Sequence, residues 1–200
     1  MRFVLASASP ARLETLRRAG VEPEVVVSGV DESVVTGEGG TFGLVVELAR
    51  LKAEAVAAGI DGRALVLGCD SMLHLDGRAL GKPADLDEAR ERWRAMRGRI
   101  GMLHTGHVLI DTAAGSAVEA AVTSVQFADV SDEEIERYCA TGEPLAVAGA
   151  FTIDGLGGWF VDSVAGDHHN VVGLSLPALR RMLVELGYGL GDIGYPAPIS

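Results

Sequence analysis

Apolar residues recur along this chain at two spacings, one typical of strands and one typical of helices. Short apolar runs and alternating stretches predict strands over residues 3–6, 24–28, 64–69, 101–111 and 117–127. Apolar positions three and four residues apart predict helices over residues 9–20, 41–58, 85–98, 131–142 and 177–186. Strands and helices alternate in the first half, and strands pair in the middle, so the pattern favours a mixed α/β sheet.

Short polar signals mark where several of these elements begin and turn. Ser9 followed by proline is typical of a helix start. Ser131 and Glu134 have the spacing of a capping box, and a similar acidic pair begins the helix at residue 85. Asp76-Gly77 lies between apolar stretches and predicts a two-residue hairpin turn.

Composition and charge narrow the classes of partner. The chain has 200 residues and a formal net charge of −11, which argues against a protein that coats nucleic acid or an anionic membrane. The apolar runs are too short for a membrane span or a secretory signal. Cys69 and Cys139 have neither metal-ligand spacing nor a disulfide framework, so a reduced cytoplasmic setting is expected.

Arg12 lies in the first turn of the helix that Ser9 begins. The helix macrodipole disfavours a cation at this end, so an arginine here indicates a site that gathers anions. A solvated arginine is the alternative, since its cost would be only a few tenths of a kcal/mol. The residues alone leave both interpretations open.

Asp70 follows an apolar strand in the segment GCDS, where we expect the strand to meet a loop. The carboxyl ends of strands commonly border the ligand crevice of an α/β sheet. A carboxylate there can bind a divalent cation or accept a proton from water. An aspartate that caps a turn is the alternative. The chain has only two lysines, Lys52 in an apolar helix and Lys82 in a G-K-P loop, which gives mild support to a role for each.

Other polar groups give weaker signals. The pair Asp31-Glu32 suits either a metal ligand or a solvated turn. His104 and His107 would lie on opposite faces of a strand, so their spacing does not predict a metal site. The chain lacks a Walker A loop and a zinc motif. None of Ser7, Ser9 and Ser71 lies in a G-x-S-x-G nucleophile elbow, which disfavours a serine hydrolase.

Four segments in register resemble the Maf family of nucleoside triphosphate pyrophosphatases. LASASPAR is similar to the family's S-x-S-P-R-R signature, and GCDSMLHLDGRALGKP to its Asp-Thr strand, hairpin and G-K-P segment. AGAFTIDGLGGWFV and GDHHNVVGLSL resemble its glycine-rich and N-V-V-G-L-P-L segments. The likeness runs from about residue 3 to residue 187, so we expect one Maf-like domain over 1–187 and a loose tail over 188–200.

This resemblance implies an enzyme that cleaves a nucleoside triphosphate between the α and β phosphates, giving the monophosphate and pyrophosphate. It implies a curved mixed β-sheet flanked by helices, with two lobes around a nucleotide-binding cleft. It also implies dependence on Mg²⁺ or Mn²⁺, a cytoplasmic location and a homodimer. The expected partner is the nucleotide, with no nucleic acid polymer and no membrane.

The resemblance also assigns roles to individual residues. Asp70 matches the proton acceptor that activates water, and Glu32 and Asp70 match metal-binding carboxylates. The residues expected to contact the substrate are Ser9, Arg12, Lys52, Ser71, Lys82 and Asp154.

Three positions depart from the family pattern. Ala11 replaces an arginine of the signature, Ser71 replaces a threonine, and Asp154 replaces a glutamine of members that act on dTTP and UTP. A carboxylate lacks the donor of an amide, so the base preference is not carried over. Two alternatives to the pyrophosphatase remain, a catalytically weak nucleotide-binding regulator of septum formation and a phosphatase that releases single phosphates.

Overall fold

The elements follow the predicted order along the chain. A computed structural model describes residues 1–35 and 38–197. Its strands are β1 (Arg2–Ala6), β2 (Glu24–Val25), β3 (Ala64–Leu75), β4 (Arg78–Leu80), β5 (Ile100–Asp111), β6 (Gly115–Phe127) and β7 (Val161–Ala165). Its α-helices are α1 (Pro10–Arg18), α2 (Gly40–Ala57), α3 (Leu86–Met96), α4 (Asp132–Ala140), α5 (His168–Val172) and α6 (Leu176–Glu185). In these described parts of the chain, no helix combines the length and the apolar character needed to cross a membrane.

The strands form a seven-stranded mixed sheet in the order β2-β1-β3-β5-β6-β7, with β4 paired to β3. β1 is parallel to both β2 and β3, and Ala6 lies opposite Gly68. β4 pairs with β3, and β7 with β6, in the antiparallel direction. The predicted mixed α/β fold is confirmed, although β2 is shorter than the predicted 24–28.

The third strand is longer than predicted, and this changes the position of Asp70. β1 pairs with β3 only as far as Gly68, but β3 continues to Leu75 and pairs with β4 from Leu73 onward. Asp70 therefore lies inside a continuous strand, and the expectation that the strand ends there is wrong. The apolar pattern stops near Asp70 because this stretch of the strand carries polar side chains, while the backbone stays extended.

Contacts along the chain divide it into two compact units. The first unit comprises Met1–Asp70, Thr105–Ala121 and Gly173–Ser200, and the second comprises Ser71–His104 and Val122–Val172.

Each unit has an apolar core of its own. The core of the first unit includes Leu5 of β1 and Leu67 of β3, both fully buried. In the second unit Trp93 is fully buried and packs edge-on against Phe127, with ring centroids 5.8 Å apart. The indole Nε1 of Trp93 donates to the carbonyl of Ala150 at 2.8 Å, so this large side chain is buried without losing its hydrogen bond.

Two glycines let α2 lie directly on the strands of the first unit. A Cβ at Gly68 of β3 would be 2.2 Å from the carbonyl oxygen of Ala49, and one at Gly106 of β5 would be 2.3 Å from that of Val45. Any side chain at these positions would push the helix away from the sheet. The two contacts therefore fix where α2 crosses β3.

The segment after α6 packs on the first unit. Leu190–Ile193 forms a 3₁₀ helix, and Ile193 is buried in the core. Tyr188 and Leu190 are partly buried against the same core, so the loose tail expected over 188–200 does not begin at residue 188. Residues 198–200 lie outside the described residues.

The same segment contributes to a charged cluster around Asp111. The Tyr188 hydroxyl donates to Asp111 Oδ2 at 2.5 Å, and Arg63 Nη2 donates to the same oxygen at 2.9 Å. The side chain of Asp111 is 1% exposed. The hydrogen bond from Arg63 is the main reason that the pKa of Asp111 falls from its ordinary 3.8 to about 2.

We expect Asp111→Asn to lower the free energy of unfolding at neutral pH by about 1–3 kcal/mol, because a buried acceptor of charged and neutral donors is lost. The ionised carboxylate stabilises the fold fully above about pH 4 and loses this contribution as the pH falls toward 2. Urea denaturation should therefore show the difference from wild type shrinking at about pH 2. Tyr188→Phe should cost about 1 kcal/mol at neutral pH. An Asp111→Asn deficit that is equal at both pH values would contradict the assignment.

Candidate active site

The first turn of α1 has backbone N–H groups at its start and no acidic side chain. Ser9 has extended backbone, and its Oγ accepts from the Arg12 backbone N–H at 3.4 Å. Pro10 follows it as the first helical residue, and the described first turn contains no acidic side chain. The positive end of the helix is therefore left without a carboxylate, which suits an anion. The N-cap predicted at Ser9 is confirmed.

The Arg12 guanidinium is held on two sides within the first unit. Its Nε donates to the carbonyl of Gly173 at 2.7 Å, and its Nη1 donates to Ser7 Oγ at 3.1 Å. Gly173 has a φ of +114°, a backbone conformation that favours glycine. These bonds fix the plane of the guanidinium, so the alternative of a solvated arginine is wrong.

Lys52 meets Asp70 because of how α2 crosses β3. Lys52 lies one turn after Ala49, the helix residue over Gly68, and Asp70 lies two residues after Gly68 on the same face of the strand. The Lys52 Nζ is 2.6 Å from Asp70 Oδ1. Their side chains are 12% and 10% exposed, so this is a largely buried ion pair.

Glu32 completes this cluster. Asp31 begins a short 3₁₀ helix by accepting from the Ser33 backbone N–H at 3.0 Å. Glu32 follows it, and its Oε1 lies 2.7 Å from Lys52 Nζ. One ammonium therefore bridges two carboxylates, and of the acidic pair Asp31 serves the turn while Glu32 reaches the cluster.

Burial dominates the electrostatics of Asp70. Loss of hydration raises the pKa of Asp70 above its ordinary value, and the charges of Lys52 and Arg12 offset this only in part. A carboxylate in such a place is a stronger base than one in water. The neighbouring Cys69 thiol is fully buried, which raises its pKa to about 12, so it stays protonated and unreactive at neutral pH.

The carboxylates of this cluster could bind a divalent cation that is also bound by the phosphates of a substrate. No group of three or more His, Cys, Asp or Glu residues suited to a metal occurs among residues 1–35 and 38–197. Mg²⁺, however, is usually bound by one or two carboxylates together with substrate phosphates. Glu32 and Asp70 supply two carboxylates that face one cationic centre, the Lys52 ammonium.

The other predicted site residues belong to the second unit. Lys82 is exposed on the loop between β4 and α3, Ser71 is half-buried in β3, and Asp154 is exposed on a loop before a 3₁₀ helix. Glu143 holds that loop, because its carboxylate accepts from the backbone N–H groups of Leu156 and Gly157, each at 3.0 Å. The structure thus assembles Ser9, Arg12, Lys52, Glu32 and Asp70 in one unit and carries the remaining three residues on the other.

Two groups that orient Arg12 were not predicted from the sequence. One is the Ser7 hydroxyl, which accepts from Arg12 Nη1 and from the Ser9 backbone N–H. The carbonyl of Gly173 gives no sequence signal of its own, since every residue has a carbonyl. The backbone of the following turn is held in place by buried His107, whose Nε2 accepts from the Ser175 N–H at 2.9 Å.

The chain is similar to known proteins over nearly its whole length. The Maf-like protein family matches residues 2–186 of the chain. A protein of Salinispora tropica named nucleoside triphosphate pyrophosphatase is 60% identical over 209 residues, which cover 99% of this chain and 92% of the relative. Proteins of the same name from Streptomyces coelicolor and Streptomyces avermitilis are 57% and 54% identical, over 98% of this chain and 96% and 95% of their own lengths. The chain belongs to the Maf-like protein family.

Proposed function

We propose that this protein hydrolyses a nucleoside triphosphate between its α and β phosphates, releasing the nucleoside monophosphate and pyrophosphate. The observation that carries the proposal is the buried contact of Lys52 with Asp70 at 2.6 Å, a carboxylate on which the charge of the anchored Arg12 also acts. The first unit therefore holds a carboxylate of raised basicity, Asp70, together with two cationic side chains, Lys52 and Arg12, that could bind phosphate. The names of the related proteins support the same activity.

Asp70 accepts the proton of the attacking water in this proposal. A general base must be ionised, positioned and of raised basicity, and burial raises the pKa of Asp70 while Lys52 fixes one of its oxygens. Arg12 and the N-terminal backbone of α1 bind phosphate oxygens, because a planar guanidinium and free-ended helix N–H groups both favour that anion. Lys52 adds a third positive group.

Glu32 and Asp70 are the residues that would hold Mg²⁺ or Mn²⁺. When bound, the cation neutralises charge on the departing pyrophosphate. The carboxylates bind and orient it, and their geometry already accommodates one positive centre.

Three further residues are proposed to contact the substrate. Lys82 contributes charge for the phosphates, and Ser71 contributes a hydroxyl. A carboxylate such as that of Asp154 offers only hydrogen-bond acceptors. A nucleobase that presents donors to this residue is therefore favoured over one that needs the N–H donor of a glutamine amide. Ala11 lacks the arginine of the signature, which removes one contact to phosphate or base.

A net charge of −11 is compatible with an anionic substrate. The field at a site depends on nearby charges, since surface charges beyond about 10 Å are screened at physiological salt. Arg12 and Lys52 provide local positive charge at α1 and α2. We further propose the cytoplasmic location and the homodimer that the family resemblance implies, and sedimentation equilibrium would measure the dimer directly.

The regulator without catalysis is less favoured than the enzyme. Nucleotide binding alone does not require a buried carboxylate, and burying one lowers the stability of the fold unless it is paired with a positive charge. Asp70 is 7% exposed, and its contact with Lys52 offsets the cost of burial only in part. The phosphatase alternative differs only in which bond breaks.

The activity is tested with a panel of canonical and modified nucleoside triphosphates in Mg²⁺ or Mn²⁺, with pyrophosphate and orthophosphate assayed separately. We expect pyrophosphate and monophosphate in equal amounts. Orthophosphate with the diphosphate would support the phosphatase instead, and tight binding without turnover would support the regulator.

Asp70→Asn should lower kcat by about 10²-fold or more, because the amide cannot accept the proton of water. Circular dichroism should show an unchanged fold, since Lys52 keeps its contact with Glu32. Asp87→Asn is the matched control, as its side chain is 90% exposed on α3, and it should retain wild-type turnover. Equal rates for Asp70→Asn and wild type would remove Asp70 from the mechanism.

A further inference from the structure

In the loop that carries Lys82, Pro83 is buried, whereas Lys82 and Ala84 are exposed. The loop comprises Gly81, Lys82, Pro83 and Ala84, between β4 and α3. Lys82 is exposed, and its side chain is a flexible four-carbon stem. The direction of such a stem depends on the backbone from which it starts, so the groups that fix this backbone decide where the ammonium can reach.

Two side chains of α3, Arg92 and Glu88, bind this backbone. Arg92 Nη1 donates to the carbonyl of Gly81 at 2.5 Å, and its Nη2 donates to that of Lys82 at 3.5 Å. Glu88 Oε2 accepts from the Ala84 N–H at 2.7 Å. The two side chains therefore contact three backbone groups on both sides of Pro83.

The two side chains also bind each other. Arg92 Nη2 and Nε donate to Glu88 Oε1 at 2.6 and 3.1 Å. Glu88 precedes Arg92 by four residues, the favourable order for such a pair on a helix. The Arg92 side chain is 12% exposed, whereas most other arginines of α3 and the following turn lie further out, as Arg90 does at 24%. The bonds from Ala84 and Arg92 hold the pKa of Glu88 below its ordinary value, so the pair is fully charged at neutral pH.

Helix capping explains only part of this arrangement. The N-cap of α3 is Asp85, which accepts from the Glu88 N–H at 2.8 Å, and the bond from Ala84 to Glu88 belongs to the same helix start. Arg92 has no part in capping, since it lies in the second half of the helix and binds carbonyls that precede the N-cap. The carbonyl of Gly81 also accepts from the Gly149 N–H at 3.0 Å, so one loop carbonyl is held from two sides.

We propose that Arg92 and Glu88 are positioning residues that hold the Gly81–Ala84 backbone and so fix the position from which the Lys82 side chain starts. This rests on the proposed function of Lys82 as a phosphate-binding residue. The pair acts through the backbone and touches no reacting atom. Its loss therefore weakens nucleotide binding more than it slows the chemical step.

Arg92→Met tests this inference, because it keeps much of the buried stem and removes the guanidinium. We expect KM for the preferred nucleotide, and the Kd of its α,β-methylene analogue, to rise about tenfold, with kcat within about threefold of wild type. Arg92→Lys should restore part of the affinity, since one ammonium can still reach a carbonyl. Arg90→Met is the matched control. It removes the same charge from the same helix, but Arg90 binds Asp87 and Glu136 instead of the loop, so the KM should not change.

Two further measurements separate a positioning role from a purely structural one. In a Lys82→Met background, Arg92→Met should cause no further loss of affinity. Hydrogen exchange without nucleotide should become at least tenfold faster at the amides of Ala84 and Gly149 in Arg92→Met. An unchanged Kd, a full additional loss in the Lys82→Met background, or unchanged exchange would overturn the proposal. If wild type shows no turnover but Arg92→Met still weakens binding of the analogue, the proposed function fails and the positioning role stands.

Discussion

The contact between Lys52 and Asp70 is the constraint on which the rest of the site depends. Removing a carboxylate from water costs several kcal/mol unless a partner of opposite charge compensates. The partner comes from α2, and it can come close only because Gly68 lets that helix lie on β3. Glu32 shares the same ammonium at 2.7 Å. The fold thus gives a buried base its counter-charge and a second carboxylate through one lysine.

Arg12 shows how an acidic protein can present a cation in a fixed position. Its guanidinium has acceptors on two sides, Ser7 and the carbonyl of Gly173. Ordering an arginine side chain costs conformational entropy. In Arg12 this ordering comes from its hydrogen bonds within the folded protein and needs no ligand. A preorganised cation at a helix start would bind the proposed phosphate without that penalty. Gly173 has a φ of +114°, which favours glycine, so the glycine of the GDHHNVVGLSL segment helps to hold Arg12 in place.

The elements and the residue types of the site could be predicted from the sequence, because caps, turns and periodicity are local. Ser9, the hairpin at Asp76-Gly77 and the helix starts are of this kind. The contacts that define the chemistry could not be predicted. That Lys52 bridges Glu32 and Asp70 depends on where a helix crosses a strand, and that Arg92 binds loop carbonyls depends on backbone groups without a sequence signal. Residues 188–193 have the composition of a loop, and the packing of Tyr188, Leu190 and Ile193 on the core depends on distant residues that the local sequence does not indicate.

Lys52 and Asp70 are proposed to act as one catalytic unit, and a double-mutant cycle on kcat/KM measures whether they do. Lys52→Met, Asp70→Asn and the double variant would be compared with wild type, using the same nucleotide and metal concentration. If the residues act together, each single change lowers kcat/KM by about 10²-fold or more, and the double variant is within about threefold of the worse single variant. If the two losses multiply in the double variant, Lys52 and Asp70 act independently, and the account is wrong.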